Sequence, residues 1–470
     1  MNDLLPFKIR HIHFIAIGGI GMSGIAELMF NLGYTIQGSD IKENDNVKRL
    51  KEFGIKTFIG HSASNVEGAQ VVVYSSAIKP DNPELIRAKE LRIPIVHRAE
   101  MLAELMRLKW SIAVGGTHGK TTTTSMIATL LDEARLDPTV INGGIIKAYG
   151  SNTKKGEGKW LVAEADESDA SFLKFPSTIT VVTNIDEDHL DHYSSIDDIE
   201  DAFFHFVMNT PFYGFSVMCS DNPKVQNLIS RITTKKIVTY GFNRQAEIRA
   251  VNIRKEKNYS LYDAEIAMTN TIIKDIRLNV AGDHMILNSL VMIAIGLNLE
   301  LDEEIIKAAI GKFESVERRF TVTGKVGSVT VIDDYAHHPT EIAAVLKAAR
   351  DINENGKVIA VFQPHRFSRI KSLMEKFSTC FNDADTVIVS DIYPAGEKPI
   401  PGIDRISVVD NIRSHGHRRV LHLSDPDILP ELIRKEITAK NIEYTVICLG
   451  AGTVTKWAHS LPIKLQEILQ

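Results

Sequence analysis

Residues 113–125 read AVGGTHGKTTTTS, and this stretch decides the fold. An apolar run from Trp110 to Val114 leads into Gly115 and Gly116. Thr117, His118, Gly119 and Lys120 follow, and Thr121 and Thr122 open a helical pattern carried by Met126, Ile127, Leu130 and Leu131. Strand, glycine-rich loop and helix in this order form a phosphate cradle, because loop N–H groups and the positive end of the helix dipole converge on one anion. Lys120 is then placed to reach the outer phosphates, and the Thr121 hydroxyl to bind Mg²⁺. The usual pattern is G-x-x-x-x-G-K-S/T, whereas here Val114 stands where the first glycine belongs, so the loop is one residue shorter. The competing reading is a glycine-rich turn that caps a helix beside a solvated lysine. G-K-T in a strand–helix setting favours nucleotide binding.

Outward from this loop the chain reads as three α/β blocks, expected over residues 1–108, 109–321 and 322–470. The first opens with a strand over residues 11–17 and the loop Gly18, Gly19, Ile20, Gly21, Met22, Ser23, Gly24, followed by a helix. The spacing Gly19-x-Gly21-x-x-Gly24, with Asp40 near the end of the next strand, matches a dinucleotide fingerprint. Alone it points to NAD, but those glycines supply a diphosphate site that any nucleotide diphosphate can use. Short strands alternate with helical patterns to residue 108, which predicts a parallel sheet. The second block carries two β-branched runs, one ending in EADESD (164–169) and one in NIDEDHLDH (184–192). Residues 217–280 read as peripheral strands and turns. In the third block, strands lead into DDYAHHP (333–339), QPHRFSR (363–369) and DIYPAGE (391–397), and a last strand leads into Gly450. The fold expected is α/β throughout: an N-terminal Rossmann-like sheet, a central P-loop ATPase-like and mostly parallel sheet, and a C-terminal Rossmann-like sheet.

At 470 residues the chain has room for about three ordinary domains. Its 44% hydrophobic and 24% charged content is that of a globular protein. A net charge of −5 without a basic run argues against a nucleic-acid partner. Cys219, Cys380 and Cys448 are odd in number and widely spaced, which argues against a disulfide framework or a structural zinc site and fits a reducing compartment. No apolar run approaches the ~18 residues of a membrane span, and the first residues lack a signal-peptide core. The expectation is a cytoplasmic protein without a membrane partner.

Several polar constellations lie after strands, at the edge where open α/β sheets bind ligands. Glu164 is placed as the second protein ligand of an NTP-bound Mg²⁺, against the alternative of a solvated acidic loop. His189 lies in a run with another histidine and four acids. Zinc would need more ligands at defined spacing, so a second Mg²⁺ or a plain polar loop remain. Arg318-Arg319 offer a γ-phosphate clamp or an exposed basic pair. His365, Arg366 and Arg369 suit a substrate carboxylate, because an arginine fork binds both oxygens; a surface loop is the plain alternative. Asn288 opens a long apolar helix, either reading an adenine edge or serving an ordinary helix start.

The phrases GIGGIGMSGIAE, SSAI, GTHGKTTTTSM, AEADESDASFL, NIDEDHLDHY, RRF, DDYAHHPTE and FQPHRFSR occur in this order. Together they resemble the Mur ligases of peptidoglycan synthesis, most closely the branch that joins L-alanine to UDP-N-acetylmuramate. The resemblance covers nearly the whole chain. It implies that ATP phosphorylates the lactyl carboxylate, that the alanine amine attacks the acyl phosphate, and that phosphate leaves. It further implies that Gly115, Gly116, Thr117, His118, Gly119, Lys120, Thr121 and Thr122 hold the ATP phosphates. Thr121 and Glu164 would take one Mg²⁺, and Glu164 and His189 a second. Asn288 would contact adenine, Arg319 the γ-phosphate and Asp334 the ATP ribose. His337, His365, Arg366 and Arg369 would gather the amino acid. Residues 18–24 with Asp40, Ser75, Ser76 and Asn142 would hold the UDP substrate in place of NAD. The family's H-N-x-x-N at the adenine site reads His284-Met285-x-x-Asn288 here, one polar base contact fewer, which predicts weaker or less base-selective ATP binding. Gln363-Pro364-His365-Arg366 differs from the E-P-R-S of the recycling ligases that add a tripeptide, which favours alanine. An NAD-dependent oxidoreductase leaves the P-loop, Glu164 and Arg319 unexplained, and a P-loop switch needs no second Rossmann-like sheet or amino-acid pocket.

Overall fold

The computed structural model describes residues 9–168, 170–188, 193–256, 259–439 and 441–469. Three sheets follow one another along the chain. The first comprises β1 (His11–Ile15), β2 (Thr35–Asp40), β3 (Lys56–Ile59), β4 (Val71–Tyr74) and β5 (Ile95–His97), in the order β3-β2-β1-β4-β5. Every neighbouring pair is parallel. The strand order reverses at β1, so the glycine loop after β1 lies at the switch point where such sheets bind ligands.

The second sheet contains β6 (Trp110–Gly115), β7 (Thr139–Ile146), β8 (Ser151–Lys154), β9 (Trp160–Glu164), β10 (Ile179–Val182), β11 (Phe215–Cys219), β12 (Ile237–Gly241), β13 (Ile248–Lys255), β14 (Ser260–Ile266) and β15 (Thr271–Leu278). Its order is β15-β14-β13-β12-β11-β10-β6-β9-β7-β8. β6 pairs in parallel with β10 on one side and β9 on the other, so three loops open side by side at their carboxyl ends. β8 is antiparallel to β7 and closes that edge. Residues 217–280 hold, besides the expected strands, a helix over Pro223–Arg231 that the sequence reading passed over. Its Asn222 side chain accepts from Lys224 and Val225 N–H, and Pro223 fills the first turn, which is an ordinary helix start.

The third sheet runs β16-β17-β21-β18-β19-β20, with β16 (Thr321–Val326), β17 (Val329–Asp334), β18 (Lys357–Phe362), β19 (Thr386–Val389), β20 (Val420–His422) and β21 (Tyr444–Leu449). All pairs are parallel except β16–β17. Along β18, Val358, Ala360 and Phe362 enter one core while Ile359 and Val361 enter another. This period-two division shows a sheet covered on both faces, and it explains why the central strands read as unbroken apolar runs. No helix among the described residues is long and apolar enough to cross a membrane.

Two compact units partition the chain. One takes the residues up to Ala250 with Ala264–Ile273 and Leu287–Phe313; the other takes Val251–Asp263, Lys274–Ile286 and Glu314–Gln470.

Candidate active site

In the first unit the phosphate loop is stitched to the loop after β10. Gly116 has φ 132° and Gly119 φ 83°, conformations that only glycine adopts without strain. Thr117 N–H donates to Asn184 O (3.0 Å) and His118 N–H to Asn184 Oδ1 (2.8 Å). Thr183 Oγ1 and Asn184 Nδ2 donate to His118 O at 2.6 and 3.0 Å. His118 Nε2 lies 3.3 Å from Asp186 Oδ2. The helix Lys120–Glu133 then starts at Gly119 without a side-chain cap, which leaves its first N–H groups to an anion. Asn288 lies beside Gly119: a Cβ built there would be 3.1 Å from Asn288 Oδ1.

Lys120 does not extend into solvent. Its Nζ donates to Gly116 O (2.6 Å) and Thr117 O (3.1 Å) and lies 2.8 Å from both carboxylate oxygens of Glu167. Burial alone would lower its pKa, but Glu167, Glu164 and Asp166 outweigh that and raise it, so it stays an ammonium. Burial pushes the Glu167 carboxyl up to about 7, against the pull of Lys120. The sequence reading left Glu167 without a role; the two residues are 47 positions apart, and only the pairing of β6 with β9 brings them together.

Glu164 ends β9, and its Oε2 accepts from Gly143 N–H at 2.8 Å. Asp166 Oδ1 accepts from Ser168 N–H, and its Oδ2 lies 3.5 Å from Arg98. Thr121 and Glu164 offer hard oxygen donors, the set Mg²⁺ prefers. His189 lies outside the described residues.

At the first sheet's switch point, Gly18 N–H donates to Asp40 Oδ2 (2.9 Å) and Lys42 N–H to Oδ1 (3.2 Å). Asp40 is 8% exposed, so it shapes the glycine loop. Gly24 is needed for close approach, since a Cβ there would meet Thr153 Cγ2 at 2.6 Å and Asn152 Nδ2 at 2.9 Å. Asn142 is buried, with Nδ2 donating to Thr121 O at 3.3 Å and Oδ1 accepting from Gly143 N–H. Ser75 and Ser76 follow β4, the neighbour of β1.

The second unit gathers the other cations. Arg318 is a structural arginine: its Nη2 donates to Gly450 O (2.9 Å) and its guanidinium lies 4.6 Å over the Tyr335 ring. Arg319 lies 5.2 Å from the same ring. Asp334 is 3% exposed and spends both oxygens on backbone, accepting from Ala336 and Phe320 N–H at 2.7 Å each. Burial pushes its carboxyl up to about 6, partly offset by Arg319. His337 and His365 meet edge to face at 5.9 Å, and Arg369 Nη1 lies 3.3 Å from His365 Nδ1. Burial, then Arg369 and Arg366, lower the His365 pKa to about 4, so its Nδ1 accepts from Arg369. Arg366, at φ 68°, is held by its N–H to Tyr393 O (2.9 Å), and its Nε lies 3.8 Å from Glu397 Oε1. His365 stacks on Tyr393 at 5.6 Å. Tyr393 and Glu397 therefore belong to this cluster; their signal was the polar run after β19.

Three family models match in succession: "Mur ligase family, catalytic domain" at residues 11–110, "Mur ligase middle domain" at 114–296 and "Mur ligase, glutamate ligase domain" at 318–452. The UDP-N-acetylmuramate–L-alanine ligase of Caulobacter vibrioides is 53% identical over 467 residues, covering 99% of this chain and 98% of its own. That of Paramagnetospirillum magneticum is 55% identical over 469 residues, covering 99% and 98%. The crystal structure of the UDP-N-acetylmuramate-alanine ligase from Thermotoga maritima superposes with a TM-score of 0.81 at 30% identity, covering 97% of this chain and 99% of that one.

Proposed function

Because the chain belongs to the Mur ligase family, we propose that it joins L-alanine to the lactyl carboxylate of UDP-N-acetylmuramate at the expense of ATP, as a cytoplasmic step of peptidoglycan precursor synthesis. Identity above 50% to alanine-adding ligases over nearly the full length carries this reading. It also sets aside tripeptide addition and NAD chemistry. Residues 1–108 take the UDP substrate, 109–321 take ATP and 322–470 take the amino acid.

The chemistry begins with like charges. A carboxylate must approach a triphosphate, and one pair of unit charges at ~4 Å costs about 4 kcal/mol at an effective dielectric near 20. The uncapped first N–H groups of the helix Lys120–Glu133 and the Lys120 ammonium answer that charge where it develops. Thr121 and Glu164 would hold Mg²⁺, with His189 as a further ligand, and the bound ion would supply positive charge at the phosphate oxygens. Arg319 meets the γ-phosphate, and Asp334 fixes the Arg319–Phe320 backbone. The amine nucleophile is positioned through its own carboxylate by Arg366 and Arg369, beside His337 and the neutral imidazole of His365. Glycine loop 18–24 takes the diphosphate, with Asp40 holding its backbone open.

Phosphate release from ATP, measured with and without UDP-N-acetylmuramate and L-alanine and with product mass determined, tests the reading. Release is expected only with both substrates present. Release that ignores either one overturns it.

A further inference from the structure

Lys120 has three ammonium protons, and the structure accounts for all of them: two point at carbonyls of its own loop and the third at Glu167. Nothing is left over for a phosphate. The carbonyl contacts belong to the loop conformation that makes the cradle, so they persist when an anion enters. The Glu167 contact is the one an incoming phosphate oxygen can replace, because carboxylate and phosphate offer the ammonium the same kind of charged acceptor.

We propose that Glu167 is a resident counter-ion that stands in for the nucleotide phosphate at Lys120 and gives up its place when nucleotide binds. Three observations support this. First, the carboxylate is 2% exposed and reaches Lys120 with both oxygens, so it is built into the site and does not drift there from the surface. Second, Glu167 is anchored independently of Lys120: Tyr193 Oη donates to its backbone carbonyl at 2.7 Å, so the side chain can release Lys120 while its backbone stays. Third, the neighbouring acids have other work, Glu164 on Gly143 N–H and Asp166 on Ser168 N–H and Arg98. Of these three acids, Glu167 alone hydrogen-bonds the Lys120 ammonium.

The consequence is a built-in competition. A buried lysine with no counter-ion is costly, so Glu167 stabilises the empty protein. The same contact must be given up for nucleotide, so it weakens nucleotide binding. Glu167 is thus a positioning residue acting through Lys120, and the idea rests on the P-loop reading above.

The test is direct binding of ADP with Mg²⁺ by calorimetry to wild type, Glu167→Gln and Glu167→Asp, with thermal melting of each. Giving up one charge-assisted hydrogen bond amounts to roughly a tenfold change in affinity. Glu167→Gln is therefore expected to bind ADP about tenfold more tightly while melting at a lower temperature when empty, and Glu167→Asp to fall between. A carboxylate with a purely structural role would weaken binding or leave it alone. Unchanged or weaker ADP binding in a folded Glu167→Gln protein overturns the proposal. If that variant does not fold, Glu167→Asp binding no more tightly than wild type overturns it equally. Absence of ADP binding by wild type would instead remove the P-loop reading itself.

Discussion

Gly143→Ala separates the chemistry of the site from the stability of the fold. Gly143 sits in the middle of β7, facing Glu164. A Cβ there would lie 2.5 Å from Glu164 Oε2 and 2.8 Å from its Cδ, where comfortable contact needs about 3.5 Å. The atoms in the way are the far end of a flexible side chain, so the carboxylate swings aside by about 1 Å and the backbone stays. Gly143 N–H keeps Asn142 Oδ1 as an acceptor, so the stability cost is about that of the lost bond to Glu164, roughly 1 kcal/mol. The cost to catalysis is larger, since a misplacement of about 1 Å at a reacting centre lowers rates about 100-fold. Phosphate release at saturating substrates, titrated with Mg²⁺, is the assay, and both a lower kcat and a higher Mg²⁺ requirement are expected. Gly150→Ala is the reverse control. Gly150 has φ 61° and open space around it, so alanine there is expected to cost about 1 kcal/mol of strain and leave turnover intact. Full activity of Gly143→Ala at the wild-type Mg²⁺ optimum would refute the placement of Glu164 in the metal site.

Other outcomes follow from the same geometry. Lys120→Ala is expected to keep its circular dichroism spectrum and lose at least about 100-fold in kcat; retained turnover would take the P-loop out of the mechanism. Asp334→Asn turns one of two acceptors toward a backbone N–H as a donor, so about 1–3 kcal/mol of stability should disappear in urea titration; an unchanged midpoint would mean that the two bonds to Ala336 and Phe320 do not hold the segment. His365 has a folded pKa near 4 and an unfolded value near 6.5. The unfolded chain therefore takes up the proton first as pH falls, and stability that is whole above pH 6.5 is lost toward pH 4, about 2 kcal/mol of it by pH 5. His365→Asn should flatten that slope, and an equally steep slope in the variant would place the titrating group elsewhere.

The elements legible in the sequence were those whose cause is local. β6 with its glycine loop and the alternation of strand and helix follow from short-range pattern. The third sheet's β18 and β21 end, as expected, directly before Gln363 and Gly450. What the sequence hid is what distant residues do to one another. Asp40, at the end of β2, reads as the acid of a nucleotide-binding fingerprint, and the folded chain turns its carboxylate onto Gly18 and Lys42 N–H. Arg318 and Arg319 are indistinguishable as a dipeptide, but φ 60° at Arg318 sends it to Gly450, leaving Arg319 as the candidate for phosphate. The helix after Asn222-Pro223 was missed because its apolar positions are few, although the cap and proline announced it.

Asn152, fully buried, joins the two glycine loops of the first unit. Its Nδ2 donates to Ile20 O at 2.7 Å and lies 3.4 Å from Asn142 O, and Asn142 Nδ2 reaches Thr121 O. Two asparagines thus make a strut from the mouth of one loop to the first turn of the helix behind the other. A strut of this kind is a ruler. Under the proposed function, it fixes the span a substrate bridges between a diphosphate at one loop and a carboxylate offered at the other. Nucleotide sugars that are too short or too long would then be refused by length, before any group on the sugar is inspected.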